Sequence, residues 1–224
     1  MEEFEIGGVR LGCPGAQLTD KIRAKLESGQ YEGSEARAVS MRLRPGQRVL
    51  ELGAGLGYIG ALAAQITGGA QVTSLEANPD MLETIRANFD RNGGAEITLR
   101  HGAVVGAEFE GETLNFARAR QFWASRIADA DSRAAGLVEV PAVRIDALLG
   151  ELRPQMVIMD IEGAEQYLFT REWPRFVKTV VMELHPRQYD SRAVMKQIVD
   201  CLSASGMAYD PGASSGTLLC MRRV

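Results

Sequence analysis

Cysteine is scarce: three in 224 residues, Cys13, Cys201 and Cys220, far apart, odd in number and without a C-x-x-C pair. That argues against a disulfide framework or a zinc site and fits a reducing cytoplasm. Positive charge is not in excess. Lysine and arginine number 25 against 29 aspartate and glutamate, a formal net charge of −4, which argues against a general nucleic-acid or anionic-membrane binder. No apolar run approaches the roughly 18 residues that a bilayer requires. The acidic start "MEEFEIGG" has neither the basic nor the apolar region of a secretory signal. A cytoplasmic location is expected, with no membrane or nucleic-acid partner. Repeats, low-complexity tracts and proline-rich linkers are also missing. The length suits one sizeable α/β domain, a homo-oligomer remaining open.

What is present is an alternation of elements. Residues 16–27 place Leu18, Ile22 and Leu26 at i, i+4 and i+8, the stripe of an amphipathic helix. A second helix is expected over 34–43, with Ser34 as N-cap and Pro45-Gly46 as its stop. Residues 1–44 thus read as an N-terminal hairpin/helical segment packing on a core domain at 45–224. In the core, strands are expected at 48–52, 71–75, 96–100, 156–159 and 179–184. Helices are expected at 58–66, 79–91, 164–169 and 191–203. The chain ends in "MAYD" and "TLLCMRRV" around "PGASSG", an expected antiparallel hairpin on the sheet edge. Residues 106–143 break the pattern and read as an edge insertion of one or two strands. The expected fold class is α/β: a Rossmann-like, mainly parallel seven-stranded sheet with helices on both faces, its ligand site beyond the strands' carboxyl ends.

Residues 49–60, "VLELGAGLGYIG", fit two cofactor loops. Gly55, Gly57 and Gly60 match the dinucleotide fingerprint G-x-G-x-x-G. Gly53, Gly55 and Gly57, preceded by Glu51, match a loop for S-adenosylmethionine. Glu51 separates them: a carboxylate in the last turn of the strand repels a diphosphate and suits a ligand ending in an ammonium group. The register agrees, because a strand running on through Gly53-Ala54 would end poorly. The next strand ends in Glu76 and Ala77, where a carboxylate can accept hydrogen bonds from ribose hydroxyls. His101 follows the third strand, where an adenine ring would sit.

The fourth strand delivers "MVIMDIEGAEQYLF", with Asp160 at its tip and then Glu162 and Glu165. The fifth ends in "VVMELHP", which brings Glu183 and His185 to the same edge. A histidine titrating near neutrality can take a proton from a hydroxyl as methyl transfer proceeds. His185, with Asp160 and Glu162 behind it, is therefore the candidate base. Asp160, Glu162, Glu183 and His185 could also make an oxygen-rich metal site. Their spacing is not diagnostic, and no metal is expected.

The motifs "YEGSE", "VLELGAGLGYIG", "SLEANPDMLETIRANF", "VRIDALL", "MVIMDIEGAEQYLF" and "VMELHP" together resemble the FkbM family of S-adenosylmethionine-dependent methyltransferases, over residues 31–224. The D-x-E-G-x-E run followed by E-x-H is the most specific part. The resemblance implies a class I methyltransferase fold, S-adenosylmethionine as cofactor, and most often O-methylation of a small-molecule or sugar-like hydroxyl. It carries Glu51, Gly53, Gly55 and Glu76 over as cofactor-binding positions, and Asp160, Glu162, Gly163 and Glu165 as the fourth-strand motif. Tyr31, Glu32 and Glu35 are then expected to close over the cofactor, Asp160 to approach the sulfonium, and the stretch from Phe116 to Arg126 to line the acceptor pocket. Two positions depart from the family pattern: Gly55 replaces an asparagine, and Met159 replaces a lysine. The alternatives are an NAD(P)-dependent oxidoreductase and a cofactor-binding protein without turnover.

Overall fold

Strands buried on both faces read as continuous apolar runs, and they need helices above and below. β10 (Met156–Met159) is such a run, and β3 (Val49–Leu52), β4 (Val72–Glu76) and β11 (Thr179–Glu183) are buried along almost their whole length although they carry polar residues such as Glu51 and Ser74. The computed structural model describes residues 1–117, the backbone of 126–127, and 137–224. The remaining elements are β1 (Glu2–Ile6), β2 (Val9–Cys13), α1 (Asp20–Glu27), α2 (Gly33–Arg42), α3 (Tyr58–Thr67), α4 (Leu82–Arg91), β5 (Thr98–His101) and β6 (Ala103–Val105). They continue as β7 (Thr113–Ala117), β8 (Arg126–Ile127), β9 (Leu137–Arg144), α5 (Ile145–Leu152), α6 (Ala193–Ala204), β12 (Met207–Tyr209) and β13 (Leu218–Arg223).

The main sheet has seven strands in the order β12-β13-β11-β10-β3-β4-β5. β3, β4, β5, β10 and β11 are parallel, and β13 is antiparallel between β11 and β12. Counted from β3, the order is 3-2-1-4-5-7-6, the Rossmann-like arrangement of class I methyltransferases. The order reverses between β3 and β10, which register Leu52 against Met159. Ligands of open α/β sheets bind at such a switch point, beyond the strands' carboxyl ends.

Alternation along β3 and β10 divides the core. Val49, Met156 and Ile158 pack with Ile59, Ile85 and Phe89 from α3 and α4, and with Ile22 and Leu26 from α1. Leu50, Leu52, Val157 and Met159 pack with Leu148 and Leu149 of α5 and Ile198 and Leu202 of α6. Each fully buried side chain of this size stabilises by about 1.5–3 kcal/mol. The β1–β2 hairpin turns at Gly7 and Gly8, both at positive φ. It is tied to α4 by Asn88, whose Oδ1 accepts from Gly12 N–H at 2.7 Å and whose Nδ2 donates to Gly12 O at 3.0 Å.

Several expectations shift. Residues 16–27 do not form one helix: Gly15–Gln17 is a 3-10 turn, and α1 starts after Thr19, whose side chain caps Ile22 N–H. The cap of α2 is Glu32 in the left-handed region, not Ser34. Pro79–Met81 is a 3-10 turn leading into α4, and 164–169 shrinks to the 3-10 turn Ala164–Tyr167. The insertion is a second sheet in the order β6-β9-β7-β8. It starts earlier than expected, at β6, and is followed by the unexpected helix α5. No helix among the described residues is long and apolar enough to cross a membrane.

Candidate functional site

The turn after β3 is built on glycine because its backbone is left-handed and crowded. Gly53, Gly55 and Gly57 have φ of 84°, 56° and 80°, values that favour glycine. A Cβ on Gly53 would lie 1.9 Å from the carbonyl oxygen of Asp160, so this glycine lets the β3 and β10 ends close on one another. The turn forms one wall of an open cleft. Gly53, Gly55, Glu76, Ala77, Gly102, Ala103, Tyr31, Glu32, Phe116, Asp160 and Glu162 are among the residues that line it.

Glu76 braces the loop. Its Oε2 accepts from the N–H groups of Ala54 (3.0 Å) and Gly55 (3.2 Å), and its Oε1 accepts from Asn78 N–H (2.7 Å). Burial raises its pKa against the pull of these donors. Ala77 N–H is a further donor to this carboxylate.

Glu51, expected to receive the cofactor's ammonium, is not among the residues that line the cleft. Strand alternation turns its side chain to the α3 face. There it accepts from the Ser74 hydroxyl and from the Gly60 backbone N–H. Burial pushes its carboxyl up to about 8. Gly57 also stands outside the lining: it caps α3 at positive φ against Ile85 and Phe89. The His101 ring lies 3.2 Å from the carbonyl oxygen of Ala77, and the following Gly102 and Ala103 line the cleft in its place.

Tyr31 and Glu32 sit over the loop from the start of α2. The buried Tyr31 ring lies 6.4 Å from that of Tyr58, and its hydroxyl bonds to Glu32. Burial pushes both groups well above their ordinary pKa values. Glu32 and Glu162, non-glycine residues at φ of 47° and 50°, both line the cleft. Backbone strain of this kind gathers at binding sites. Glu35 lies deeper, hydrogen-bonded to Glu183, with its pKa raised by burial and then by Glu183.

The ends of β10 and β11 assemble carboxylates around one imidazole. His185 Nε2 lies 3.4 Å from Asp160 Oδ1 and 3.7 Å from Glu162 Oε2. Its Nδ1 lies 3.1 Å from Glu165 Oε1. Glu165 is fully buried. Burial alone would raise its pKa, but hydrogen bonds from His185 and Tyr189 hold it below the usual carboxylate range. Burial pushes Asp160 up to about 8, aided by the Glu183 charge and opposed by His185. Burial lowers His185, but the hydrogen bond to Glu165 and the charges of Asp160, Glu165 and Glu162 raise it to about 9. That corrects the expectation of a base titrating near neutrality. Glu162 is raised by burial, against the pull of His185 and a 2.8 Å hydrogen bond from Gln188.

Asp160, Glu183 and His185 each offer an atom that could hold a cation, and these atoms lie within 4.8 Å of one another. His185 and Glu183 stand behind the cleft wall that Asp160 and Glu162 form. Of the expected acceptor stretch, Phe116 lines the cleft; residues 118–125 lie outside those described. Sequence reasoning missed Gly102, Ala103, Val104 and Tyr189. Only Tyr189, close after "ELHP", carried a signal that could have been used.

Residues 49–140 match the methyltransferase domain family. The chain is 41% identical over 51 residues to a protein-L-isoaspartate O-methyltransferase of Aeropyrum pernix, covering 22% of this chain and 20% of that protein. It is 43% identical over 63 residues to the enzyme of the same name from Methylorubrum populi, covering 28% of each. The matched stretches thus span between a fifth and under a third of these relatives' lengths. Among solved structures, precorrin-6y C5,15-methyltransferase from Geobacter metallireducens aligns over 94% of this chain and 91% of its own, at 14% identity and a TM-score of 0.46. The likeness to methyltransferases is thus carried by residues 49–140.

Proposed function

We propose that this protein is an S-adenosylmethionine-dependent O-methyltransferase of the FkbM type, acting on a hydroxyl of a small-molecule or sugar-like acceptor. The observation that carries the reading is Asp160. Its carboxyl group lines the cleft, while its Oδ1 is buried without a hydrogen-bond partner 3.4 Å from His185 Nε2. A carboxyl that meets the cleft on one side and a proton carrier on the other is placed to take a hydroxyl's proton.

The cofactor supplies a methyl group on a positively charged sulfur. This chain's residues hold and orient it. Glu76, at the cleft, would hold the ribose hydroxyls, and Tyr31 and Glu32 would cover the loop. The carboxyls of Glu32, Asp160 and Glu162 line the cleft, and a cation beside them would favour their charged forms. Asp160 and His185 share their titration, so the acceptor's proton passes to the pair rather than to the imidazole alone. At neutral pH both members hold a proton; Asp160, the first to lose its own as pH rises, is then the member placed to receive the acceptor's.

The test is incubation with methyl-labelled S-adenosylmethionine and a panel of hydroxylated and amine acceptors. Label transferred to oxygen is expected. Transfer to nitrogen alone would overturn the O-methyl assignment, and binding without any transfer would leave a carrier of the cofactor. Calorimetry with NADH is expected to show no binding.

A further inference from the structure

We propose that Glu165 is a positioning residue that orients His185, fixing the ring with Nδ1 turned inward and Nε2 facing Asp160 and Glu162. The inference rests on the functional reading above for its meaning, but on geometry for its content. Glu165 comes from the turn after β10 and carries its carboxylate into a fully buried place. Its Oε1 accepts from the His185 backbone N–H (3.0 Å), from His185 Nδ1 (3.1 Å) and from the Tyr189 hydroxyl (2.7 Å). Its Oε2 accepts from Gly163 N–H (2.9 Å). One oxygen therefore grips both the main chain and the ring of the same histidine, so rotation of the ring would break a bond to a buried charge. An unpaired buried carboxylate is strongly unfavourable.

The groups facing His185 come from three elements. Asp160, Glu162 and Glu165 follow β10, Glu183 and Tyr189 belong to β11 and the loop after it, and Glu35 of α2 reaches the cluster through Glu183. Of these, Glu165 alone takes Nδ1. When the imidazole is neutral, the proton must stay on Nδ1 to satisfy Glu165, which leaves Nε2 as the free base toward the cleft. Imidazole orientation by a buried carboxylate is a general way to fix a tautomer.

Nuclear magnetic resonance of the full chain tests this directly, because His101 and His185 are its only histidines. In the unaltered protein above pH 9, ring nitrogen shifts are expected to show His185 protonated on Nδ1. An Nε2-protonated tautomer would overturn the proposal without any variant. Glu165→Gln is expected to lower the His185 titration midpoint by about one unit or more. It should also shift the rising limb of kcat/KM, with KM for S-adenosylmethionine little changed. Glu165→Asp, which keeps the charge, should recover most of that shift, and Tyr189→Phe should move it little. A folded Glu165→Gln variant with the His185 titration unchanged would reduce Glu165 to a turn residue. A protein that titrates as stated yet transfers no methyl would defeat the functional reading and leave the orientation standing.

Discussion

The carboxylate of Glu51 rests against the Cα of Gly60: a Cβ built on Gly60 would lie 2.6 Å from Glu51 Oε2, 2.9 Å from Ser74 Oγ and 3.0 Å from the Phe89 ring. The acid that marks the loop in sequence and the third glycine of the rival fingerprint are one structural unit. Gly60→Ala forces apart β3, β4 and α4 at once. A loss of about 1–3 kcal/mol is expected, the scale of overpacking a filled core. Urea unfolding at pH 7 measures it. A neutral result would mean that Glu51 can leave its site freely.

Glu51 itself should be a burden at alkaline pH. Its ordinary value is 4.5 and its folded value about 8, so between those pH values the folded chain binds a proton that the unfolded chain lacks. Stability then falls as pH rises through that window and levels off above it. Glu51→Gln removes the dependence. The variant is expected to melt higher than the parent at pH 8.5, by an amount that shrinks toward pH 5, and to bind S-adenosylmethionine within a few-fold of the parent. A large loss of affinity would return Glu51 to the cleft.

Gly53 allows no such tolerance. Its φ of 84° already excludes most side chains, and the nearest obstacle to a Cβ is main-chain oxygen rather than a mobile side chain. Gly53→Ala is expected to abolish cofactor binding by calorimetry and to cost several kcal/mol in chemical unfolding. A variant that binds normally would show that the β10 turn can yield.

Much of this was legible in the sequence because burial leaves a local pattern. β10 is four apolar residues in a row, and its expected bounds match the observed ones. Asp160 and Glu162 could be placed at the cleft because charge directly after such a strand has only the sheet's carboxyl end to occupy. Side-chain direction was less legible. Glu51 and Glu76 both lie at strand ends beside the loop, but only three-dimensional register sends one to the α3 face and the other to the cleft. The 3-10 turn at Ala164–Tyr167 and the left-handed Glu32 follow from tertiary contacts, which periodicity does not report. The shift of His185 was hidden for the same reason: it depends on Glu165, twenty residues earlier, being buried against it.

The coupled pair gives the methyl-transfer rate a defined pH dependence. Asp160 at about 8 and His185 at about 9 are both protonated at neutral pH, so kcat/KM is expected to rise above pH 7 toward a plateau above 9. Asp160→Asn should lower it by about 10²–10⁴ across the range, the scale of general-base catalysis. His185→Gln removes a cation that lowers Asp160, so its rise should move to higher pH. An unchanged profile in His185→Gln would detach the imidazole from proton transfer.

Glu76 should show in affinity rather than in chemistry. Its carboxylate holds Ala54 N–H and Gly55 N–H, and with them the shape of the loop. Glu76→Ala leaves those two buried donors without a partner and removes a ribose contact. Each such loss is worth about 1–3 kcal/mol, so a weakening of S-adenosylmethionine binding by about 10²-fold or more is expected in calorimetry. Weakening below threefold would mean that the loop is held by its glycines alone.

Metal removal separates the two chemistries that the acid cluster permits. Asp160, Glu183 and His185 are close enough to share a divalent cation, but a cation there must displace the proton that His185 holds up to about pH 9. Metal binding to a protonated ligand competes with that proton and weakens as pH falls. The sulfonium of the cofactor answers the same negative charge without displacing a proton. Excess EDTA is therefore expected to leave methyl transfer at pH 7 within about twofold, and added Mg²⁺ or Mn²⁺ to change it no more. A tenfold loss restored by one divalent metal would make Asp160 a metal ligand and remove it as the proton acceptor.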